Sequence, residues 1–421
     1  MADQRVVVIG QGYVGLPVAM RAVAVGFDVV GYDVAHERID ALAAGRSYVE
    51  DITAAELQAA LGSGRYLPTT LDTDCKDFDF AVVSVPTPLR EGEPDLSYVE
   101  AAARSLGRFV RPGCTVILES TTYPGTTEEL FGPLLAEHTG LTPGSDFALG
   151  YSPERIDPGN RTHNLVNTPK VVSGVDTHSL ERVQWFFDQL CDDTVAVPSP
   201  REAELTKLLE NTFRHVNIAL VNELAMFAND LGIDVWSAID AASTKPFGYM
   251  RFTPGPGVGG HCLPIDPSYL SWQVRRSLGT TFRFVELAND VNSHMPDYVV
   301  RRVQAAFNDR SLPVNGQNIL LLGLAYKRNT SDARESPSLE IAEQLRQLGA
   351  NVWVHDNHVA DEQLPAGSIR RDLTAEVLAA ADGVVMLVAH DDIDTDLVAR
   401  EADWVLDCQA VLPACESVEL L

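Results

Sequence analysis

The sequence predicts an α/β protein with two doubly wound parallel-sheet domains joined by a long central helix. Three observations carry this. β-Branched runs alternate with helical stretches through residue 200, residues 202–231 contain neither Gly nor Pro, and the alternation restarts at Asn318. Strands that alternate with helices imply a parallel sheet covered on both faces. At roughly 150 residues per domain the chain divides into two or three. The boundaries fall at 1–200, 201–310 and 311–421.

Residues 5–10 (RVVVIG) form the first strand and break into glycines before a helical pattern. A second run, 27–33, ends in Asp33; a third, 79–85, is closed by Pro86 and Pro88; 114–118 follows. Residues 147–200 still read as strand and helix, with VVSG at 171–174 and TVAVP at 194–198. In 202–231 the apolar positions recur at three and four, the period of one helix about 45 Å long. It is apolar on more than one face, which predicts burial between domains or in a dimer. A Gly/Pro loop at 253–260 leads into helical sequence to residue 308. The second domain runs NILLLG, a helix near 336–348, NVWVHD, a helix near 374–381, GVVMLVAH and WVLD. Its layout matches the first half without sequence repetition.

Composition narrows the function. The 421 residues carry 59 acidic against 32 basic side chains, a formal charge of −27. That balance argues against nucleic acid and anionic membrane as partners, since both are held by Lys and Arg. Residues 356–421 alone hold 15 acids and three arginines. No apolar run reaches the ~18 residues of a membrane span. A first strand starting at Arg5 leaves no room for a signal peptide. The six cysteines form no CxxC pair and no zinc spacing, so the expectation is a reduced, cytoplasmic protein without a metal. Only five of the 32 basic residues are lysines: Lys76, Lys170, Lys207, Lys245 and Lys327. In so arginine-rich a chain each lysine marks a place where a compact, tunable charge is wanted.

Gly10-Gln11-Gly12-Tyr13-Val14-Gly15 follows a strand and opens a helix. Its glycines serve a tight turn, close approach to a pyrophosphate and helix packing, and the helix N-terminus offers amide donors. Asp33 ends the next strand, where a carboxylate binds a ribose 2′-hydroxyl and repels a 2′-phosphate, favouring NAD over NADP. Cys262 stands in GGHCLPIDP, with Pro264 fitting a first helical turn; a helix N-terminus there favours thiolate. Asp266 lies one turn on, able to handle a proton or a water; the plain alternative is an inert cysteine beside a helix-starting acid. Lys207 and Asn211 are i,i+4 on the long helix, functional unless Lys207 merely pairs with Glu204 on a wet face. Lys327, Arg328 and Arg334 gather after the first strand of the last domain, as an anion site or a self-paired loop. Glu154 sits in a Pro-bounded loop and alone says little. His261 has no accompanying ligand cluster.

Together these segments resemble the nucleotide-sugar 6-dehydrogenases, the family of UDP-glucose, UDP-N-acetylhexosamine and GDP-mannose dehydrogenases. The likeness spans GQGYVGLP, VPTP at 85–88, ESTTYPGTT at 119–127, YSPER, ELTKLLENTFR at 204–214, GGHCLPID and GLAYKRNTSDARESP at 323–337. The resemblance implies NAD on a Rossmann-like first domain, the nucleotide diphosphate on a Rossmann-like last one, and a homodimer built on the central helix. It implies four-electron oxidation of the sugar C6 alcohol to a carboxylate, with Cys262 forming a thiohemiacetal and then a thioester. Lys207 and Asn211 would serve the C6 oxygen, Asp266 water and protons, and Thr121 and Glu154 acid–base and water-binding positions. Cofactor contacts would be Gly10, Gly12, Tyr13, Val14, Gly15, Asp33, Arg38, Pro86, Thr87, Thr121 and Arg334. Substrate contacts would be Glu154, Arg155, Ile156, Lys207, Asn211, Tyr249, Arg251, Gly259, Cys262, Tyr326 and Lys327.

The sequence departs from the family at two places. The UDP-glucose branch has a second Glu where Pro158 stands, and a late Arg gives way to Gln409 in Asp407-Cys408-Gln409-Ala410. UDP- or dTDP-glucose is ranked first because nothing in the sequence specifically provides for an acetamide, although 244–254 and SPER…PGN resemble the N-acetylhexosamine branch. The rivals are a two-electron hydroxyacid dehydrogenase with an idle Cys262, and a non-catalytic NAD-binding protein.

Overall fold

The computed structural model describes residues 4–49, 51–90, 92–156, 160, 162–260, 263 and 265–421. The expectations for Cys262, His261 and Pro158 fall outside these. The chain forms two compact units, Met1–Glu210 with Ser268–Leu278, and Asn211–Pro267 with Gly279–Leu421.

The first unit holds β1 (Arg5–Ile9), β2 (Asp28–Tyr32), β3 (Tyr66–Thr69), β4 (Phe80–Val83), a small hairpin of β5 (Leu89–Arg90) and β6 (Glu93–Pro94), β7 (Thr115–Leu118), β8 (Ala148–Tyr151), β9 (Lys170–Gly174) and β10 (Thr194–Ala196). Its sheet runs β10-β9-β8-β7-β4-β1-β2-β3. Val6, Val7 and Val8 of β1 are all buried, which is why this strand reads as an unbroken apolar run rather than an alternating one. The parallel prediction holds from β3 to β8 and fails at β9, which pairs antiparallel through Gly150↔Gly174 and Tyr151↔Ser173. A parallel return needs a crossover, usually a helix, and the described residues between β8 and β9 contain none. Gly150 permits the tight pairing: a Cβ there would lie 2.2 Å from the Ser173 carbonyl.

The second unit holds β11 (Asn318–Leu322), β12 (Asn351–His355), β13 (Ile369–Arg370), β14 (Gly383–Met386), β15 (Val405–Asp407) and β16 (Val418–Leu420), in order β13-β12-β11-β14-β15-β16. With the hairpin and β9–β10 set aside, both sheets share one order, reversing beside their first strand. Ligands of such sheets bind at that reversal, beyond the carboxyl ends of the strands.

The long helix is continuous from Pro200 to Asp230. One set of its side chains is buried, including Ala203, Leu208, Ala219 and Ala225, while Leu205, Leu209, Phe213, Leu220, Leu224 and Phe227 stay exposed. A helix spans Asp266–Leu278 with Pro267 in its first turn, and the expectation for Pro264 falls outside the described residues.

Candidate active site

The glycine turn divides its labour as the motif requires. Gly10 has φ +89°, and a Cβ there would meet the Ser84 carbonyl at 2.1 Å; one on Gly15 would meet the Gly10 carbonyl at 1.9 Å. At Gly12 a Cβ would meet nothing within 4 Å. Gly10 and Gly15 are therefore glycine for the fold, whereas Gly12 leaves room above the backbone that the fold does not use. The helix from Gly15 to Ala24 has no acid in its first turn, so its amide end stays electropositive. Tyr13 is exposed beside the turn and Val14 half-buried.

Asp33 is buried at the end of β2, accepting from the Gln11 amide at 2.9 Å and the Ala35 amide at 2.9 Å. Arg38 reaches it at 3.4 Å. The Tyr48 hydroxyl closes the turn from below by donating to the Gln11 carbonyl at 2.5 Å. Pro86 and Thr87 follow β4 on the other side of the reversal; the Thr87 carbonyl accepts from the Tyr269 hydroxyl at 2.8 Å. Turn, acid and β4 loop together fit a dinucleotide.

Thr121 follows β7 and is half-buried. Its loop is pinned by Glu204, not by solvent. Glu204 accepts from the Gly125 amide at 2.5 Å and from the Thr127 amide and hydroxyl at 2.9 and 2.7 Å. Burial pushes this carboxyl up to about 7 even against three donors. The surface Glu204–Lys207 pair considered from the sequence is thus excluded: both side chains are buried and Glu204 is fully engaged elsewhere.

Lys207 instead donates to the Glu154 backbone carbonyl at 2.6 Å. An ammonium carries three donors. Glu154 is buried, with Oε1 accepting from the Arg155 and Ile156 amides at 2.6 and 2.5 Å. Its Oε2 takes the Lys170 ammonium at 3.1 Å, and Lys170 is anchored on Glu119 at 2.6 Å. Burial would raise the Glu154 carboxyl, but Lys170 and the Ile156 amide hold it below the ordinary range. Arg155 spends its guanidinium on the Pro169 carbonyl at 2.6 Å and on Glu210 at 2.7 Å, so it latches the loop. Ile156 packs on the sheet core. Sequence reasoning missed Glu119 and Lys170; the signal was the scarcity of lysine.

In the second unit Asn211 donates to Asp266 at 2.5 Å, and Asp266 is buried at the start of its helix. Gly259 and Gly260 lie against Tyr326: Cβ atoms there would fall 3.0 and 2.7 Å from that side chain. Tyr326 and Lys327 are half-buried in the loop after β11. Of the cations expected to form an anion site, Arg328 pairs with Asp391, and Arg334 pairs bidentately with Asp332 at 2.9 and 2.8 Å. The self-paired alternative therefore describes these two arginines. Tyr249 is exposed, and exposed Arg251 pairs with Asp240. Gln409 donates to the Leu387 carbonyl at 3.0 Å. No cluster of three or more His, Cys, Asp or Glu able to hold a metal occurs among the described residues, and no helix among them is long and apolar enough to cross a membrane.

Fold and turn define a dinucleotide-binding protein. Family models described as the NAD binding, central and UDP binding domains of UDP-glucose/GDP-mannose dehydrogenases match residues 4–191, 201–294 and 320–414. The chain belongs to that family and is a nucleotide-sugar 6-dehydrogenase with NAD as its cofactor. It is 36% identical to the UDP-N-acetyl-D-glucosamine 6-dehydrogenase of Pseudomonas aeruginosa over 93% of this chain and 92% of that one. It is similar to the structure of UDP-D-ManNAc dehydrogenase from Pyrococcus horikoshii at TM-score 0.90 and 32% identity, covering 99% and 98% of the two chains. A UDP-glucose dehydrogenase from Pyrobaculum islandicum matches at TM-score 0.88 and 29% identity, covering 100% and 97%.

Proposed function

We propose that this chain oxidises the C6 hydroxymethyl of a UDP-N-acetylhexosamine to the uronate in two two-electron steps. The observation that carries the sugar is that relatives matching nine-tenths of the chain are named for N-acetylated sugars: N-acetylmannosamine, N-acetylglucosamine and an N-acetylgalactosaminuronic acid. That support displaces the ranking that put glucose first. UDP-glucose stays second, favoured by the likeness to the Pyrobaculum enzyme.

Bound NAD supplies a hydride acceptor. The residues do the rest. Lys207, one N–H spent on the Glu154 carbonyl, offers its remaining donors and its charge to the C6 oxygen as an oxyanion develops. Asn211, oriented by Asp266, carries the amide that the family resemblance assigns to the same oxygen, and Asp266 takes up or returns a proton. Once the C6 alcohol has given up a proton and a first hydride, the Cys262 thiolate adds to the aldehyde that remains, giving a thiohemiacetal. Loss of a second hydride leaves a thioester, and water adds to it, releasing carboxylate and thiol. Thr121 and Glu154 complete the set of polar groups assigned to this step.

A homodimer through the central helix accounts for the exposed stripe Leu205, Leu209, Phe213, Leu220, Leu224 and Phe227. Four buried free thiols, Cys75, Cys114, Cys191 and Cys408, suit a reducing cytoplasm.

The test is an NADH-release screen over UDP-N-acetylglucosamine, UDP-N-acetylmannosamine, UDP-glucose, dTDP-glucose and GDP-mannose. Two NADH per sugar with an N-acetylated substrate is expected. One NADH per substrate, or uronate formed at the normal rate by Cys262→Ala, sinks the mechanism. Fastest turnover on UDP-glucose moves the second reading to first.

A further inference from the structure

Of the buried group Glu119–Lys170–Glu154 only Glu154 has a part in the reaction assigned above, and the geometry gives one to the other two. Each member comes from a different strand end. Glu119 follows β7, Glu154 follows β8, and Lys170 opens β9. The antiparallel register of Tyr151↔Ser173, continued three residues past β8, sets Glu154 opposite Lys170. Had β9 run parallel, its first residue would lie at the far edge of the sheet, away from the cofactor turn.

The Lys170 ammonium lies 2.6 Å from Glu119, 3.1 Å from Glu154 and 5.1 Å from the centre of the Phe187 ring. The side chains of Lys170 and Glu119 are 3% and 0% exposed, so their bonds are not exchanged for water. Glu119 keeps a second oxygen, Oε2, buried without a hydrogen-bond partner, and the Glu154 carboxylate faces it across Lys170. Glu154, by contrast, is gripped at both oxygens, and its backbone carbonyl receives Lys207. Two carboxylates around one ammonium leave a net negative charge, and the uneven grip decides where protonation falls. Burial pushes Glu119 up to about 7, while Lys170 and the amides keep Glu154 ionised. The other titratable groups facing this cluster are the Cys191 thiol, pushed up to about 11 by burial and hence neutral, Arg21 beyond it, and Lys207.

We propose that Lys170, anchored on Glu119, is a positioning residue for the oxidation: it clamps the Glu154 carboxylate and thereby fixes the Glu154 carbonyl that aims the Lys207 ammonium. This rests on the role given to Lys207 above. The Glu154 carboxylate, with Oε1 on two amides and Oε2 on Lys170, then serves its step by holding the loop that carries its own carbonyl.

The experiment uses two variants of the full enzyme whose effects have opposite sign. Lys170→Met with Glu119→Gln keeps the cluster's net charge, removes the clamp, and moves the acid limb of kcat up by about one pH unit or more. Glu119→Gln alone removes the carboxyl that protonates first and leaves Lys170 wholly to Glu154, moving the same limb down to the titration of Glu154. In the double variant kcat falls at least tenfold with KM within twofold. An independent readout needs no turnover: reductive methylation followed by peptide mass spectrometry, with exposed Lys76 and Lys245 as internal standards. Lys207 is expected to react at least fivefold faster in the double variant at temperatures where it stays folded. If the double variant does not fold, Glu119→Gln alone decides, by its limb shift and by slower Lys207 methylation. Limbs that stay put, or move together, with unchanged Lys207 reactivity overturn the proposal. Absence of NADH release by the wild type on every sugar condemns the functional reading instead, and the methylation rates then decide on the clamp by themselves.

Discussion

The two sheets begin with the same turn and use it differently. In each, the first strand ends on a glycine with positive φ, Gly10 at +89° and Gly323 at +85°. In each, a Cβ on that glycine would strike the backbone beyond the fourth strand, at Ser84 or Val388, within 2.3 Å. In each, an acid ending the second strand reaches back to the turn: Asp33 to the Gln11 amide, Asp356 to the Leu324 and Ala325 amides. Beyond this point they diverge. Asp356 also accepts from the His358 and Val359 amides and from His390, whose side chain is fully enclosed with it. Burial would raise its carboxyl, but His390 and those amides hold it well below the usual range. Asp33 has two amides and a partly exposed arginine. One half keeps its acid at the ligand's disposal, next to an unfilled glycine; the other has turned the same acid into an internal tie.

The shared part should break identically in both halves. Gly10→Ala and Gly323→Ala each put a Cβ into backbone at a strained φ, and each should cost about 3 kcal/mol or more in denaturant unfolding. A loss under about 1 kcal/mol at either site would mean that the two turns are not equivalent.

The acids should separate the halves. Asp356→Asn is expected to destabilise by about 2–4 kcal/mol, because it unpairs buried donors and a buried histidine. Asp33→Asn should cost under about 1 kcal/mol, yet weaken NAD binding and relax discrimination against NADP. A carboxyl held low in the folded state contributes stability above the unfolded carboxylate range, lost as pH falls through its folded value. Stability of the Asp356→Asn protein should therefore fall less steeply with acid than that of the wild type, in thermal melts between pH 6 and 3. Equal melting losses for the two substitutions would erase the distinction.

The smallest effect on stability belongs to Gly12→Ala. Nothing in the protein meets the added methyl, so melting should shift by less than about 0.5 kcal/mol. NAD affinity, read by fluorescence titration, should nevertheless fall at least tenfold. Unchanged affinity would show that the room over Gly12 is not where the pyrophosphate passes.

What is legible in the sequence follows from burial. Strands covered on both faces are continuous apolar runs, so β1, β4, β11 and β14 can be read directly. The direction of β9 cannot, because an apolar run carries no polarity. The glycine turn is legible because Gly10, Gly12 and Gly15 are adjacent to one another and to a strand. The Glu119–Lys170–Glu154 group is not, its members being 51 and 16 residues apart along the chain. Glu204 reads as a surface acid because a helical acid near a lysine suggests a local pair, and only the distant 125–127 turn reveals its donors.

The reversed strand β9 also separates length from function. The segment joining β8 to β9 is closed at its base by the ladder and by the Glu154–Lys170 pair. The spacing of Glu154 and Lys170 is thereby set by the pairing of two strands and not by the 16 positions of chain that separate them.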